Sequence, residues 1–86
     1  MTFEIKSTNF VAKLRIENRR GKKVTLIDGL PKIEPYLKDL CKTLKNKYGA
    51  GGTYHLDGKE GAVEIQGDQR DSIREWLNQK GIKTKG

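Results

Sequence analysis

Residues 63–77, VEIQGDQRDSIREWL, change period halfway along. Val63 and Ile65 alternate with polar neighbours, as on a strand with one buried face. After the corner, Ile73, Trp76 and Leu77 recur at helical spacing. Gly67 breaks the strand, so the stretch reads strand, corner, helix, with the helix over residues 69–80. Asp68 fits an N-cap, its carboxylate accepting from an N–H of the first turn. Asp71, three residues on, takes the place of the usual Glu or Gln in a capping box. Both acids suit the positive end of the helix dipole. Gln69 and Arg70 are not needed for the cap and are expected to face solvent. Arg70 and Arg74 lie one turn apart, a spacing that suits phosphates. Gly81 sits where a left-handed C-terminal cap belongs, and Ile82 can then fold back onto Leu77.

The pattern extends in both directions. TYHL and AVEIQ flank the turn DGKEG, with Tyr54, Leu56, Val63 and Ile65 as the inward set. Before them, Ile33, Leu37, Leu40, Cys41, Leu44 and Tyr48 mark one face of a helix. Pro35 fits its first turn, and GAGG ends it. Residues 12–17, AKLRIE, alternate with Ala12, Leu14 and Ile16 inward. KVTLID alternates again, with Val24 and Leu26 assigned inward, and the turn NRRGK joins the two runs into a hairpin. IKTK adds a short last strand. The expected class is α+β: an open-faced α/β plait. Its antiparallel-rich mixed sheet carries an N-terminal β-hairpin and has both helices packed on one face. The open face would carry Lys13, Arg15, Thr25, His55, Glu64 and Gln66. Residues 1–11 read as an arm, part of which docks through Phe3, Ile5, Phe10 and Val11. Residues 12–86 read as a single domain.

Size and charge bound the function. A chain of 86 residues suits one domain with a thin core. Its 18 Lys and Arg against 11 Asp and Glu give a net charge of +7, which favours an anionic partner over mere solubility. The single cysteine, Cys41, allows no internal disulfide and no cysteine-rich zinc site. It falls on the apolar stripe of the first helix. No apolar run reaches the ~20 residues a membrane span needs. The opening MTFEIKSTNF lacks the apolar core of a signal peptide, so a cytoplasmic location is expected. His55 stands alone. Among the acids, Asp57 and Glu60 fall in a turn, Glu64 on an outer strand face and Asp68 at a cap. No nucleophile accompanies them, so no catalytic residue, metal site or cofactor is expected.

Nucleic acid is the partner that the charge pattern favours. GAGG matches the GxxG of KH domains, but there the loop joins two helices and here it joins helix to strand. An RRM needs aromatics on the open sheet face, whereas Tyr54 points inward. The hairpin is the stronger feature. Residues 13–23 hold six basic residues and one acid, 6 − 1 = +5. Arg19, Arg20, Lys22 and Lys23 crowd its tip, with Lys13 and Arg15 on the adjoining strand. Gln69, Arg70 and Arg74 form a second candidate group.

Three segments together, GKKVTLIDGL, LKDLCKTLKNKYGAGGTY and GAVEIQGDQRDSIREWLNQKGIKTK, resemble eukaryotic translation initiation factor 1 and its archaeal and bacterial relatives. The resemblance covers about residues 13–85. GDQR and GIKTK are close to the bacterial branch, and the Cys-rich N-terminal segment of many archaeal members does not occur in this sequence. The resemblance implies a plait with two helices on one sheet face. It implies a non-enzymatic, monomeric factor without cofactor. Such a factor binds small ribosomal subunit RNA near the P site and modulates start-codon selection. By the same resemblance, the loop 18–23 lies near the initiator tRNA, and other initiation factors are partners. Two alternatives stand beside it: a free-standing RNA-binding module, and a protein-interaction adaptor using the first helix or the open sheet.

Overall fold

A computed structural model describes residues 10–86. The elements follow in the expected order: β1 (Val11–Arg19), β2 (Lys22–Leu30), α1 (Glu34–Tyr48), β3 (Gly52–His55), β4 (Gly61–Gln66), α2 (Arg70–Gln79) and β5 (Lys83–Lys85). The five strands form one sheet in the order β3-β4-β2-β1-β5. Only β1 and β5 run parallel. The extra N-terminal strand is therefore not appended at an edge. It is inserted between β2 and β5, inside what would otherwise be a four-stranded plait.

The hairpin explains the insertion. Arg20 and Gly21 both have positive φ, 52° and 80°, which makes the connection a two-residue turn whose twist suits two adjacent antiparallel strands. β1 pairs with β2 from Arg19↔Lys22 to Lys13↔Asp28. This claims the β2 edge that β5 would otherwise take, so β5 pairs with Val11–Lys13 of β1 instead.

The core lies on one side of the sheet, beneath both helices, as expected. Ala12, Leu14, Ile27, Val63 and Ile65 of the strands meet Leu37, Leu40 and Leu44 of α1 and Ile73 and Leu77 of α2. Each Val, Leu or Ile among them contributes on the order of 1.5–3 kcal/mol on full burial. Cys41 is buried in this core, and burial raises its thiol pKa. Tyr54 and Leu56 pack at its margin.

The facing of β2 is the reverse of that expected. Thr25 and Ile27 point to the helices, in rows Ile16–Thr25–Ile65 and Leu14–Ile27–Val63. Val24 and Leu26 belong to the opposite face. They are nonetheless buried, at 6% and 5% exposure, because β2 is central and long charged side chains of its neighbours cover them. A register shift between Ile27 and Leu30, with Gly29 at φ 77°, then returns Leu30 to the core. A Cβ on Gly29 would sit 2.5 Å from the Val11 carbonyl oxygen.

The C-terminal ends of both helices follow the sequence closely. Gly49 adopts a left-handed conformation and donates to the Lys45 carbonyl, closing α1. At the end of α2, the Ile82 N–H donates to Leu77 O and the Gly81 N–H to Asn78 O, both at 3.0 Å. With Gly81 at φ 83°, this is a Schellman cap, and Ile82 joins Leu77 in the core.

Of the expected arm, Phe10 packs edge-on against Tyr36, ring centroids 6.2 Å apart. Val11 opens β1 and is 38% exposed. Phe3 and Ile5 lie outside the described residues. The Tyr36 hydroxyl is buried without a partner among the described residues, and burial pushes its pKa up to about 12. The folded value thus lies above the ~10 of an exposed tyrosine. Its linked stability is complete below pH ~10 and is lost as the pH climbs towards about 12. The urea midpoint should fall across that window, and Tyr36→Phe should flatten much of the fall. An identical slope in the variant would show that other groups govern it.

Candidate nucleic-acid interface

The corner between β4 and α2 is tied to β2 by three hydrogen bonds. The Gly67 N–H donates to the Lys23 carbonyl at 2.7 Å. The Thr25 hydroxyl donates to the Gly67 carbonyl at 2.7 Å and accepts from the Gln69 N–H at 2.8 Å. Thr25 is fully buried. Gly67, at φ 95°, gives the chain the left-handed turn this docking requires.

Asp68 therefore does not cap the helix. The N-cap position falls at Gln69, without a side-chain cap bond, and Asp68 is exposed. The helix begins one residue later than an Asp68 cap would need, and Thr25 takes up the Gln69 N–H. Asp71 lies in the first turn and pairs with Arg74 at 3.4 Å rather than completing a capping box. Gln69 and Arg70 are half-buried, not fully solvent-facing. The Arg70 Nε is buried and meets no acceptor among the described residues.

The hairpin tip stands beside this corner. Pairing of β2 with β4 stops at Val24↔Gln66, whereas β1 and β2 stay paired out to Arg19↔Lys22. Lys22 thus lies on a two-stranded ribbon beyond the body of the sheet, and Lys23 at the root of that ribbon, where Gly67 still bonds it. Strand alternation puts Lys23 on the same side of β2 as Thr25, towards the corner, and Lys22 on the other.

The cations expected to act together fall into three groups. Arg20, Lys22 and Lys23 are exposed and have no carboxylate within ion-pair distance among the described residues. Arg19 instead folds back over the sheet, with Nε 2.6 Å from Glu17 Oε1 and Nη1 2.7 Å from Glu64 Oε1. These bonds raise the Arg19 pKa, and the Arg19 bond is the main cause that lowers the Glu17 carboxyl. Arg15 is paired with Asp28 at 3.1 Å and Glu17 at 3.5 Å, and Lys13 with Glu60 at 3.9 Å. The open face is thus a lattice of Lys13, Arg15 and Arg19 against Glu17, Asp28, Glu60 and Glu64. His55 Nε2 lies 3.5 Å from Glu64. Arg74 donates to the Gly86 carbonyl as well as to Asp71, which directs it away from the tip. One end of the molecule therefore gathers Arg20, Lys22, Lys23, Gln69 and Arg70, while Lys13, Arg15 and Arg74 lie elsewhere.

The GAGG glycines serve packing. The Gln66 N–H donates to the Gly51 carbonyl at 2.9 Å. A Cβ on Gly52 would lie 2.6 Å from the Glu64 carbonyl oxygen and 2.8 Å from Ile65 Cδ1. The loop closes α1 onto β4 and does not join two helices. Thr25, expected on the open face, is instead buried on the core side, and no sequence rule points to its role. Its only mark there is a hydroxyl inside the apolar run VTLI.

Arg20 is the only non-glycine with positive φ among the described residues. That conformation costs an L-residue roughly 1–2 kcal/mol, part of which glycine would return through its greater unfolded-state entropy. Arg20→Gly should therefore raise stability in urea titrations by about 0.5 kcal/mol. A loss of stability would mean that the arginine side chain makes contacts that outweigh its backbone. Tolerated strain of this kind is a reason to look for function at the residue.

Among the described residues no group of three or more His, Cys, Asp or Glu could hold a metal ion, and no helix is long and apolar enough to cross a membrane.

This hairpin-bearing α+β domain matches the family model for translation initiation factor SUI1 over residues 10–83, and the chain belongs to that family. It is 42% identical over 71 residues to the protein translation factor SUI1 homolog of Sulfolobus acidocaldarius, covering 81% of this chain and 68% of the relative. The homolog of Picrophilus torridus is 44% identical over 77 residues, covering 87% and 74%. The uncharacterized protein YciH of Salmonella typhimurium is 46% identical over 67 residues, covering 78% of this chain and 58% of the relative. Archaeal and bacterial relatives thus match at comparable identity, and the match spans only part of each.

Proposed function

We propose that this chain is a non-catalytic, monomeric factor that binds the small ribosomal subunit near the P site, in the cytoplasm, and modulates start-codon selection. The hairpin tip and the neighbouring corner are its RNA-contacting end. Membership in a family of initiation factors supports the setting. One observation carries the choice of surface: Lys13, Arg15 and Arg19 of the open face are paired with carboxylates, whereas Arg20, Lys22 and Lys23 meet no carboxylate among the described residues. An RNA phosphate approaching the open face must displace existing ion pairs. At the tip it meets cations that no carboxylate of the described residues engages, on a ribbon held by a tight turn. Phosphate contacts of this kind fix position and register without reading bases. Initiator tRNA and other initiation factors are the expected neighbours on the subunit.

Sedimentation with purified small subunits tests the proposal. The expected result is cofractionation at low salt, lost as salt rises. Binding to bare RNA but not to subunits would favour a free-standing RNA-binding module. Binding to neither would favour a protein-interaction adaptor.

A further inference from the structure

We infer that Thr25 is a positioning residue that makes the hairpin tip and the α2 corner a single RNA-binding surface. Its hydroxyl bridges the Gly67 carbonyl and the Gln69 N–H, residues 42 and 44 positions away in sequence. Next to it, the Lys23 carbonyl accepts from Gly67. The chain from Lys23 to Thr25 therefore holds residues 67–69 from below, and Arg70 follows at the first position of α2.

The packing alone does not require a hydroxyl at this position. Thr25 lies in the row Ile16–Thr25–Ile65 on the core side of the sheet, where valine has the same shape. Valine would leave the Gln69 N–H and the Gly67 carbonyl without their partner. It would also free the corner to move relative to the tip. The helix has no side-chain cap of its own to hold that corner. Gly67 cannot substitute for the bridge, because its φ of 95° makes it the more pliable link. The side chain of Gln69 already folds over Gly67, where an added Cβ would lie 3.3 Å from its Nε2. Holding Arg70 at a set distance from Lys23 lets one RNA strand meet both cations without the ordering cost of a mobile corner.

The inference rests on the proposed RNA contact, and its test separates the two. Binding to purified small subunits is measured against salt for wild type, Thr25→Val, Thr25→Ser and Arg70→Gln. A temperature is used at which each is fully folded by circular dichroism. Thr25→Val should lower affinity about fivefold to tenfold at about 0.1 M salt and reduce the slope of log K against log salt by ~0.7–0.9, the equivalent of one phosphate contact. Thr25→Ser should restore both. Adding Thr25→Val to Arg70→Gln should cost little more, because the contact it positions is already gone. A folded but merely less stable protein would keep its salt slope. Unchanged slope and affinity in Thr25→Val, or losses that multiply in the double variant, would overturn the positioning role. Should Thr25→Val not fold, Gly67→Ala perturbs the same bridge from the other side and should produce the same loss of slope.

A second reading needs no ribosome. Amide hydrogen exchange at Gly67 and Gln69 should rise in Thr25→Val by more than at Leu14 and Ile65, whose protection follows the global stability. Unchanged exchange at the corner overturns the inference. Wild type failing to bind subunits would instead overturn the proposed function.

Discussion

Replacing Arg20, Lys22 and Lys23 together by glutamine should weaken binding to the small subunit by two to three orders of magnitude at about 0.1 M salt. Each phosphate contact contributes ~0.7–0.9 to the salt slope, so losing three flattens it by roughly 2–3. Folding should hardly change, because exposed charges in a turn contribute little to stability. Arg19 is left in place deliberately. Its guanidinium is committed to Glu17 and Glu64, so its removal would disturb the sheet face as well as the charge. The control removes charge from α1 instead, at Lys38, Lys42, Lys45 and Lys47. An equal loss of affinity and slope there would mean that attraction is set by the overall +7 and not by the hairpin.

Thr25→Val should cost about 2–4 kcal/mol of stability, and Asp68→Ala less than about 0.5. The first leaves two part-buried backbone groups without partners, each at ~1–2 kcal/mol, the low end of the range for an unmade hydrogen bond. The second alters an exposed side chain outside the helix cap. The sequence alone argues for the opposite order, since Asp68 has the look of an N-cap worth ~1 kcal/mol. Urea unfolding of the two variants decides between a cap from within the corner and a tether from β2. A large loss in Asp68→Ala with none in Thr25→Val would reverse the assignment.

The contrast shows what local pattern can and cannot reveal here. Periodicity located both helices and all five strands because most elements have one clearly apolar face. The caps at Gly49 and Gly81 were legible because they need only local chemistry: a left-handed residue and the last carbonyls of its own helix. β2 was read out of phase because it is the central strand. Val24, Thr25, Leu26 and Ile27 are all buried, so alternation in the sequence carries no record of which face meets the helices. The place of β1 within the sheet, between β2 and β5, is likewise a long-range fact.

The candidate site divides along the same line. The density of cations at the hairpin is visible in the residues themselves. Which of them remain unpaired among the described residues is not, because Arg15 and Arg19 also find partners across the sheet, Asp28 on β2 and Glu64 on β4. Thr25 lies 42 residues before the glycine it holds, and no spacing rule connects them. Asp68 misled for the complementary reason. Its neighbourhood in sequence satisfies the rule for a cap, while a residue far away in sequence supplies the bond.

The proposed contact is made by the hairpin tip and not by the open sheet face. Lysine acetylation read by mass spectrometry tests it directly, with the protein free and bound to purified subunits. Lys22 and Lys23 should become protected on binding, while Lys13 and Lys59, which border the open face, stay reactive. Lys22 and Lys23 remaining fully reactive in the complex, with Lys13 and Lys59 protected, would put the contact on the open face instead.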